Sequence, residues 1–479
     1  METVRALIGG ELVHARGGNT IDAINPATGE TVARIPRCRE SDVDDAARAA
    51  AAAQSAWRAM GPLERAAVVG RIADVVLEHA DELAALDVTD NGSPIREMRR
   101  DAHIAAGQLR YFAGLALMLR GETIPIAHDR LDYTLHEPFG VVGRLVPFNH
   151  PLMFAAGRLG APLVAGNTVI MKPSEHTSLS ALRLGELIRD IVPPGVVNVI
   201  SGYGAEVGDA LVAHPAVRRI AFIGSVPVGR AIQRRAAEHT VKTVTLELGG
   251  KNPIVVFDDA DLDAAVDGAL RGMNFTWQGQ SCGSTSRLLV HESEHEQFVA
   301  RLAEHIESLR SGLPQDEATE TGAIVNRGQY EKVLGYVQVG RDEGARLVVG
   351  GETPSDGELA RGLFVRPALF DRVRPESRLA QEEIFGPVLA ALPFATYDDA
   401  IQIANGVSYG LSASVFTRDL ATAHRFARDV EAGYVWVNDS SVHFPGTDFG
   451  GVKDSGVGRE EGFQELLSYT QSKNVNVRF

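Results

Sequence analysis

The feature that most constrains the fold is an alternation of short β-rich runs with helical segments, which begins near Phe139. The helical spacing covers residues 178–191 and 205–213. Strands that alternate with helices predict βαβ units and a mostly parallel sheet. The runs around these helices are apolar, partly β-branched and bounded by Gly, Pro or Asn, and they comprise residues 141–146, 168–171, 196–200 and 219–223.

A second alternating region starts near Glu247 and predicts a second α/β unit. Before Phe139 the chain is instead mostly helical, with an Ala-rich stretch at 46–56 for which Ser41-Asp42 offers a cap. A chain of 479 residues is too long for one compact core, so two or three domains are expected. The predicted strands of the second region are 254–257, 287–291, 346–349, 387–394 and 434–438, its helices lie near 260–275, 294–309 and 396–405, and the early helices cover 63–86 and 96–119.

Charge and cysteine content exclude several classes of protein. A formal net charge of -15 argues against a nucleic-acid partner, because phosphate backbones need a basic face. Only two cysteines, Cys38 and Cys282, occur, which favours a reducing compartment over a disulfide scaffold. No Cys/His spacing is typical of zinc, so no metal is expected. Without a signal-peptide pattern or a run of ~20 apolar residues, no membrane association is expected and a cytoplasmic location follows by elimination.

The predicted strand ends indicate where a ligand binds. Parallel sheets bind ligands at the carboxyl ends of their strands. Phe148-Asn149, residues 172–175, residues 202–204 and Gly224-Ser225 all follow predicted strands of the first region. A cofactor is therefore expected there. The glycines of 202–208 differ by one position from a dinucleotide-binding GxGxxG loop, and an ordinary turn explains them better when they are taken alone.

Three residues carry candidate chemistry, and each has a plainer interpretation. Cys282 stands beside glycines that would let a substrate approach, although most unpaired cysteines are inert core residues. Glu247 stands between two leucines, where desolvation would raise its pKa towards that of a base, unless it faces solvent from a strand. The Asn149 amide could stabilise an oxyanion or simply form a turn.

Taken together and in order, the motifs closely resemble those of the aldehyde dehydrogenase superfamily. The resemblance extends from about Ile24 to the C-terminus, essentially the whole chain. Seven motifs in the right order make a chance match negligible. They are 147–149 (Pro-Phe-Asn), 172–175 (Lys-Pro-Ser-Glu), 222–225 (Phe-Ile-Gly-Ser), 247–251 (Glu-Leu-Gly-Gly-Lys), 279–282 (Gly-Gln-Ser-Cys), 383–387 (Glu-Ile-Phe-Gly-Pro) and 455–460 (Ser-Gly-Val-Gly-Arg-Glu).

The resemblance implies an α/β fold with three parts. These are a Rossmann-like cofactor domain at 1–118 and 138–246, an α/β catalytic domain at 247–445, and a small β oligomerisation arm at 119–137 and 460–479. A homodimer or homotetramer is expected. The predicted extended pieces 131–137 and 468–479 fall in this arm and would need pairing to avoid free edges.

The resemblance also implies roles for individual residues. Cys282 matches the nucleophile, Glu247 the general base, and Asn149 the oxyanion donor together with the backbone N–H of Cys282. A carboxylate at Glu175 would bind the ribose hydroxyls of NAD and repel the 2′-phosphate of NADP, although Lys172 weakens that discrimination. NAD is therefore expected, with some NADP tolerated. The implied cofactor-binding residues are Pro147, Phe148, Lys172, Ser174, Glu175, Gly204, Gly208, Phe222, Gly224, Ser225, Leu248, Glu383 and Phe385.

The substrate is expected to be an aromatic or otherwise bulky aldehyde. Gly157 stands where relatives often carry a bulky residue, so it should leave volume for a ring or a branched chain. Arg158 replaces a common lysine and Asp448 a common proline, with no consequence evident from the sequence. The implied substrate pocket consists of His150, Phe154, Gly157, Ser281 and His443.

Two rival functions stay open at this point. A CoA-acylating semialdehyde dehydrogenase would pass the acyl group to a thiol, but such relatives usually lack the base that Glu247 provides. A non-catalytic binding protein would not need Cys282, Glu247 and Asn149 together.

Overall fold

The computed structural model describes residues 3–479, and their secondary structure is both helical and extended. The strands are β1 (Ala6–Ile8), β2 (Glu11–Val13), β3 (Thr20–Ile24), β4 (Thr31–Pro36), β5 (Thr123–Ala127), β6 (Arg130–Pro138), β7 (Val141–Leu145), β8 (Thr168–Lys172), β9 (Val197–Val199), β10 (Val217–Ile223), β11 (Thr243–Glu247), β12 (Pro253–Val256), β13 (Arg287–His291), β14 (Arg346–Val349), β15 (Ala368–Asp371), β16 (Val388–Phe394), β17 (Tyr409–Gly410), β18 (Ser412–Phe416), β19 (Tyr434–Val437), β20 (Val452–Lys453), β21 (Gly456–Val457) and β22 (Thr470–Arg478). The helices are α1 (Glu40–Ala59), α2 (Pro62–Glu78), α3 (Ala80–Asn91), α4 (Ile95–Gly114), α5 (Pro151–Gly157), α6 (Gly160–Val164), α7 (Leu179–Ile188), α8 (Asp209–Ala213), α9 (Val226–Ala236), α10 (Leu262–Gly272), α11 (His295–Ser308), α12 (Arg327–Asp342), α13 (Arg378–Gln381), α14 (Tyr397–Asn405), α15 (Leu420–Asp429) and α16 (Phe463–Ser468).

The first large sheet has eight strands in the order β2-β1-β9-β8-β7-β10-β11-β21. Its five central strands, β7 to β11, are mutually parallel, whereas β1 and β21 add to its sides antiparallel. All five residues of β7 are buried, as expected when helices cover both faces of a parallel sheet. The predicted α/β fold class is thus confirmed.

The second large sheet has seven strands in the order β14-β15-β16-β13-β12-β18-β19. Every neighbouring pair is parallel except the edge strand β14, which runs antiparallel to β15. Buried aliphatic side chains form a separate core on each of its faces. Of residues 3–479, none lies in a helix that is both long and apolar enough to cross a bilayer.

A small third sheet, β22-β6-β5, contains the extended pieces predicted to lie outside the two large sheets. Its strands β6 and β22 pair antiparallel along nine residues, from Arg130 with Arg478 to Pro138 with Thr470. Its exposed apolar side chains include Ile126, which is 56% exposed. The domain boundaries given above and the use of this sheet in an oligomer stay predictions.

The N-terminal region differs from its sequence-based prediction in two respects. It contains the strands β1 to β4 in addition to the expected helices, and β1 joins the first large sheet through Leu7 and Val199. The predicted Ser41-Asp42 cap is also wrong. Helix α1 already begins at Glu40, and the Asp42 carboxylate accepts the Arg39 backbone N–H at 2.8 Å from inside the first turn.

Candidate active site

Three neighbouring strands of the first sheet carry the site residues to one edge. Strands β7 and β11 both pair parallel with β10, so that Phe222 lies opposite both Leu145 and Leu246. Parallel strands end at the same edge of a sheet. The loop that contains Asn149 and the end of β11 at Glu247 are therefore brought together, although they are almost a hundred residues apart.

The loop that carries Cys282 is fixed to the second sheet by Asn252. The Asn252 Nδ2 donates to the carbonyl oxygens of Cys282 at 2.8 Å and Ser284 at 3.0 Å, while its Oδ1 accepts the Ser412 N–H at 3.1 Å. Gly279 has a positive φ of 63°, and a Cβ there would lie 2.3 Å from the Gly386 carbonyl oxygen. Only glycine therefore lets the loop pack against the 383–387 motif.

Cys282 is half-buried and therefore reachable from solvent. Burial, followed by the negative charges of Glu383, Glu247 and Glu461, raises the pKa of its thiol to about 12. The sulfur is thus surrounded by carboxylates and stays protonated at neutral pH unless a cation or a base approaches.

The Glu247 carboxylate lies buried at the end of β11, so the solvent-facing alternative is wrong. Glu247 is 6% exposed, and neither of its buried side-chain oxygens has a hydrogen-bond partner. Desolvation, and secondly the charge of Glu460, raises its pKa well above the ordinary value of 4.5. A buried carboxyl group without partners is costly and is a frequent sign of a functional site.

Strained backbone clusters around the Cys282 loop and its neighbours. Asn274, Gln278, Phe385 and Glu461 all have positive φ values, between 53° and 69°. Such conformations are uncommon for residues other than glycine and cost of order 1–3 kcal/mol each, so they persist where the surrounding structure enforces them. Phe385 is the bulkiest of these residues, and its ring meets that of Phe148 edge-on at 5.6 Å.

A buried charge network lies beside the site and includes Arg144 of β7 in the first sheet. The Arg158 guanidinium is almost completely buried and lies 3.1 Å from Glu460, 3.0 Å from Glu461 and 3.4 Å from Glu465. Arg144 pairs with Glu460 from the other side. Three carboxylates therefore converge on Arg158, whose significance the sequence left open. A lysine could not bridge them through separate nitrogens.

His443 joins this network to an aromatic cluster. Its Nδ1 lies 3.0 Å from the Glu461 carboxylate, and its ring is 4.8 Å from that of Phe449. Burial acts to raise the pKa of Glu461, but the charges of His443 and Arg158 hold it at about 2. The half-buried Cys282 packs against the same cluster through Trp436 and Phe449. His443 and Cys282 thus share one apolar wall.

The remaining pocket residues follow one face of α5. His150, which precedes α5, contacts the Phe154 ring at 5.6 Å and lies 2.8 Å from the Asp101 carboxylate through its Nδ1. The extra volume expected beside Gly157 is instead occupied by Gln108. A Cβ at Gly157 would lie only 2.1 Å from the Gln108 Oε1. Ser281 is half-buried next to Cys282.

The residues expected to hold the adenosine ribose are paired with each other. The Lys172 Nζ donates to Glu175 Oε2 at 3.0 Å directly after β8, and Ser174 is half-buried between them. Burial lowers the pKa of Lys172 despite the opposing charge of Glu175. Burial also acts to raise the pKa of Glu175, but the Lys172 charge keeps it below its ordinary value. The two paired groups are therefore presented together at the end of β8.

The glycines of the predicted cofactor site fall into two groups. A Cβ at Gly224 would lie 2.3 Å from the Phe222 ring. From Gly224 the chain continues through Ser225 into the N-terminus of α9. A helix N-terminus presents free N–H groups to an anion. A π-helical turn over Gly204–Gly208 follows β9. A Cβ at Gly204 would have no atom within 4 Å, whereas Gly208 is buried near Leu145.

The other predicted cofactor residues surround the Gly249-Gly250 turn. Glu383 Oε1 accepts the Gly250 N–H at 3.1 Å, and a Cβ at Gly249 would collide with the same carboxylate. Leu248 packs beneath α9 at Gly229. Pro147 and Phe148 are half-buried after β7. These residues lie at one crevice, but their contacts with a cofactor stay a prediction.

Sequence reasoning missed Asn252, Gln108 and the glutamates 461 and 465. Asn252 follows the 247–251 motif directly, so its polar side chain at a strand start was a usable signal. Gln108 is a single polar residue in an amphipathic helix, and nothing in the sequence joins it to Gly157. The Asp448 departure also has a structural explanation, since its carboxylate accepts the Gln464 N–H at 3.4 Å at the start of α16.

Comparison with known proteins identifies the family that shares this arrangement. Residues 12–475 match the model of the Aldehyde dehydrogenase family. The aldehyde dehydrogenase tropH of Talaromyces stipitatus is 46% identical over 467 residues, which cover 95% of this chain and 90% of that protein. An aldehyde dehydrogenase from Bacillus cereus, solved as an NAD+ complex, is 40% identical with a TM-score of 0.96 over 99% of this chain and 96% of that one. The indole-3-acetaldehyde dehydrogenase AldA of P. syringae, solved with NAD+ and IAA, is 40% identical with a TM-score of 0.97 over 99% and 96% of the two chains.

Proposed function

The chain belongs to the aldehyde dehydrogenase family, and from this premise we propose that it oxidises its aldehyde through a thioester on Cys282. It is an NAD-dependent aldehyde dehydrogenase that oxidises a small-molecule aldehyde. One observation carries the mechanistic proposal: the Glu247 carboxylate at the end of β11 is buried without a hydrogen-bond partner, while Cys282, the implied nucleophile, is half-buried. A nucleophile and a separate base are the two groups that a covalent two-step oxidation needs.

The first step would use Cys282 and Asn149. The Cys282 thiol releases its proton to water, which the positive ring of bound NAD would favour. The thiolate then attacks the aldehyde carbon, and the carbonyl oxygen becomes an oxyanion. The Asn149 amide and the backbone N–H of Cys282 donate hydrogen bonds to it, a contribution usually worth ~2.7–4 kcal/mol per donor. Asn252 acts as a positioning residue, because it fixes the Cys282 carbonyl and hence the orientation of the neighbouring peptide.

The residues at the strand ends fit a dinucleotide. The Lys172–Glu175 pair suits the ribose hydroxyls, and the α9 N-terminus at Ser225 suits the pyrophosphate. The Gly249-Gly250 turn lets Glu383 approach the crevice, since a Cβ at Gly249 would collide with its carboxylate. When bound, NAD supplies the acceptor for the hydride that leaves the carbon attached to Cys282. The carbon is thereby oxidised and stays on the sulfur as a thioester.

Glu247 would complete the reaction as a general base. Burial raises its pKa well above the ordinary value, which makes the carboxylate a stronger base. It removes a proton from water, the resulting hydroxide attacks the thioester, and the carboxylic acid leaves as the Cys282 sulfur is released. The presence of this base favours hydrolysis over transfer to CoA.

The lining of the pocket supports an aromatic or otherwise bulky aldehyde as substrate. The His150 ring contacts those of Phe154 and Trp277 beside α5, and the His443 ring contacts that of Phe449 in the cluster against which Cys282 packs. Flat apolar walls of this kind favour an aromatic ring. The similar AldA of P. syringae is named for an aldehyde that carries an indole.

A panel of aliphatic and aromatic aldehydes tests the proposal by NADH formation. C282A should abolish NADH formation with every aldehyde. E247Q should retain a rapid burst of NADH but slow steady turnover by about 10²–10⁴-fold, since only the hydrolytic step needs the base. A turnover defect without a burst would contradict the role of Glu247. Acyl-CoA as the product, in an assay with added CoA, would contradict hydrolysis.

A further inference from the structure

Gln108 is a buried amide with an unsatisfied oxygen beside the substrate pocket. The side chain is only 7% exposed, and its buried Oε1 has no hydrogen-bond partner. A buried polar atom left unpaired costs about 1–3 kcal/mol, so such atoms normally have a partner in protein, water or ligand. Because Gln108 also lies beside Gly157 of the implied substrate pocket, a polar group of the substrate could supply that partner.

This amide takes the place of the side chain that Gly157 lacks. The Oε1 would lie 2.1 Å from a Cβ at Gly157, so Gln108 reaches from α4 across to α5 and covers the glycine. His150, Phe154 and Gly157 are spaced four and three residues apart, which places them on one face of α5. The Gln108 amide therefore extends the row of groups that begins with His150, next to Asn149.

The Gln108 amide restricts the polar group that it can bind. The charged residues near this row are of both signs, since Asp101 accepts a hydrogen bond from His150 while the Arg158 guanidinium lies over the Phe154 ring. Selection therefore falls to the amide itself. A neutral hydroxyl can both donate to an amide oxygen and accept from an amide nitrogen, whereas a carboxylate has no proton to donate to the Gln108 Oε1.

We infer that Gln108 determines specificity by hydrogen-bonding a hydroxyl group on the ring of an aromatic aldehyde. The inference rests on the proposed function, since it assumes that the aldehyde lies between α5 and Cys282. It goes further by assigning a residue outside every motif and by naming the substituent. The glycine at 157 and the glutamine at 108 act as one unit, because the amide fits only where no Cβ is present.

The test compares kcat/KM for benzaldehyde, its three monohydroxylated isomers and the three carboxylated isomers. The wild type should favour at least one hydroxylated isomer over benzaldehyde by about tenfold and should disfavour all carboxylated isomers. Q108M, which keeps the length of the side chain but removes the amide, should bring the hydroxyl-to-benzaldehyde ratio close to one. G157A should act in the same direction, because its methyl group would displace the amide.

Gln54 provides a matched control. Gln54 lies on α1, away from the pocket. Its Oε1 is also buried without a partner, but its Nε2 donates to the Gly166 carbonyl at 3.1 Å. Q54M should keep the wild-type ratio. If Q108M and G157A both keep that ratio while benzaldehyde is oxidised, the inference about Gln108 is wrong and the proposed function stands. If only aliphatic aldehydes are oxidised, the aromatic proposal and the inference both fail.

Discussion

Alkylation of Cys282 by iodoacetamide is expected to be slow in the cofactor-free protein and to accelerate with pH well beyond neutrality. The thiol has a pKa of about 12, compared with an ordinary value of 9.0, so its thiolate fraction at pH 8 is about 1,000-fold lower than that of an ordinary cysteine. A more basic thiolate is also a better nucleophile, which offsets this by about 20-fold. The net rate at pH 8 should therefore be about 50-fold below that of an exposed cysteine.

Mass spectrometry of the intact protein, sampled over time from pH 6 to 11, measures this rate. Cys38 is an internal reference, since it is fully buried and should not react while the protein is folded. Saturating NAD should accelerate alkylation at pH 8, because a positive ring beside the sulfur favours the thiolate. E247Q should also accelerate it without cofactor, because Glu247 is one of the charges that raise the pKa.

A rate that levels off below pH 9 without cofactor would refute this reasoning. It would mean that burial and the surrounding carboxylates do not control the thiol. If NAD and an uncharged analogue of NAD accelerate alkylation equally, the electrostatic explanation of the NAD effect is refuted. The explanation of the slow cofactor-free rate would stand. Labelling at Cys38 would show instead that the protein had opened.

Three further predictions concern other parts of the site. N149A should lower kcat by about 10²–10³-fold in steady-state kinetics, while NAD binding is retained in a fluorescence titration. An unchanged kcat would exclude an oxyanion role. E175Q should raise the ratio of kcat/KM with NADP to kcat/KM with NAD by about tenfold, because Lys172 then faces the 2′-phosphate without its carboxylate partner. An unaltered ratio would contradict the role of Glu175 in cofactor choice. Asp87 has a pKa raised by burial from 3.8 to about 7, so the folded protein binds its proton more tightly than the unfolded chain and loses stability as pH rises between those values. D87N, which can still accept the Leu152 N–H, should raise the Tm at pH 8 but not at pH 4, and an equal shift at both would exclude titration as the cause.

The sheets and the reacting groups could be predicted because their signals are local. Strand β7 is buried throughout and mostly apolar because helices cover both of its faces, so its composition marks it even though Arg144 stands within it. Glu247 and Cys282 stand inside motifs whose order is distinctive. The reach of Gln108 to Gly157 could not be predicted, because it depends on how α4 and α5 pack. The same holds for β1, whose three residues form a strand by pairing with β2 and, through Leu7, with β9.

The charge network shows a different limit of sequence reasoning. Arg158 was noticeable as a departure, but a single cation does not reveal how many anions it will meet. Its three glutamate partners lie about 300 residues further along the chain. Only the folded chain shows that they converge on it. The Asp448 departure is similar, since its contact with Gln464 depends on where α16 begins.

The separation of Arg158 from its glutamates in sequence has a consequence for biosynthesis. Until residues 460–465 have left the ribosome, burying Arg144 and Arg158 would leave two cations in an apolar interior without counterions, which costs several kcal/mol. The wall behind the reactive sulfur therefore cannot close in an unfinished polypeptide. A nascent chain is expected to stay inactive until residues 460–465 have emerged from the ribosome.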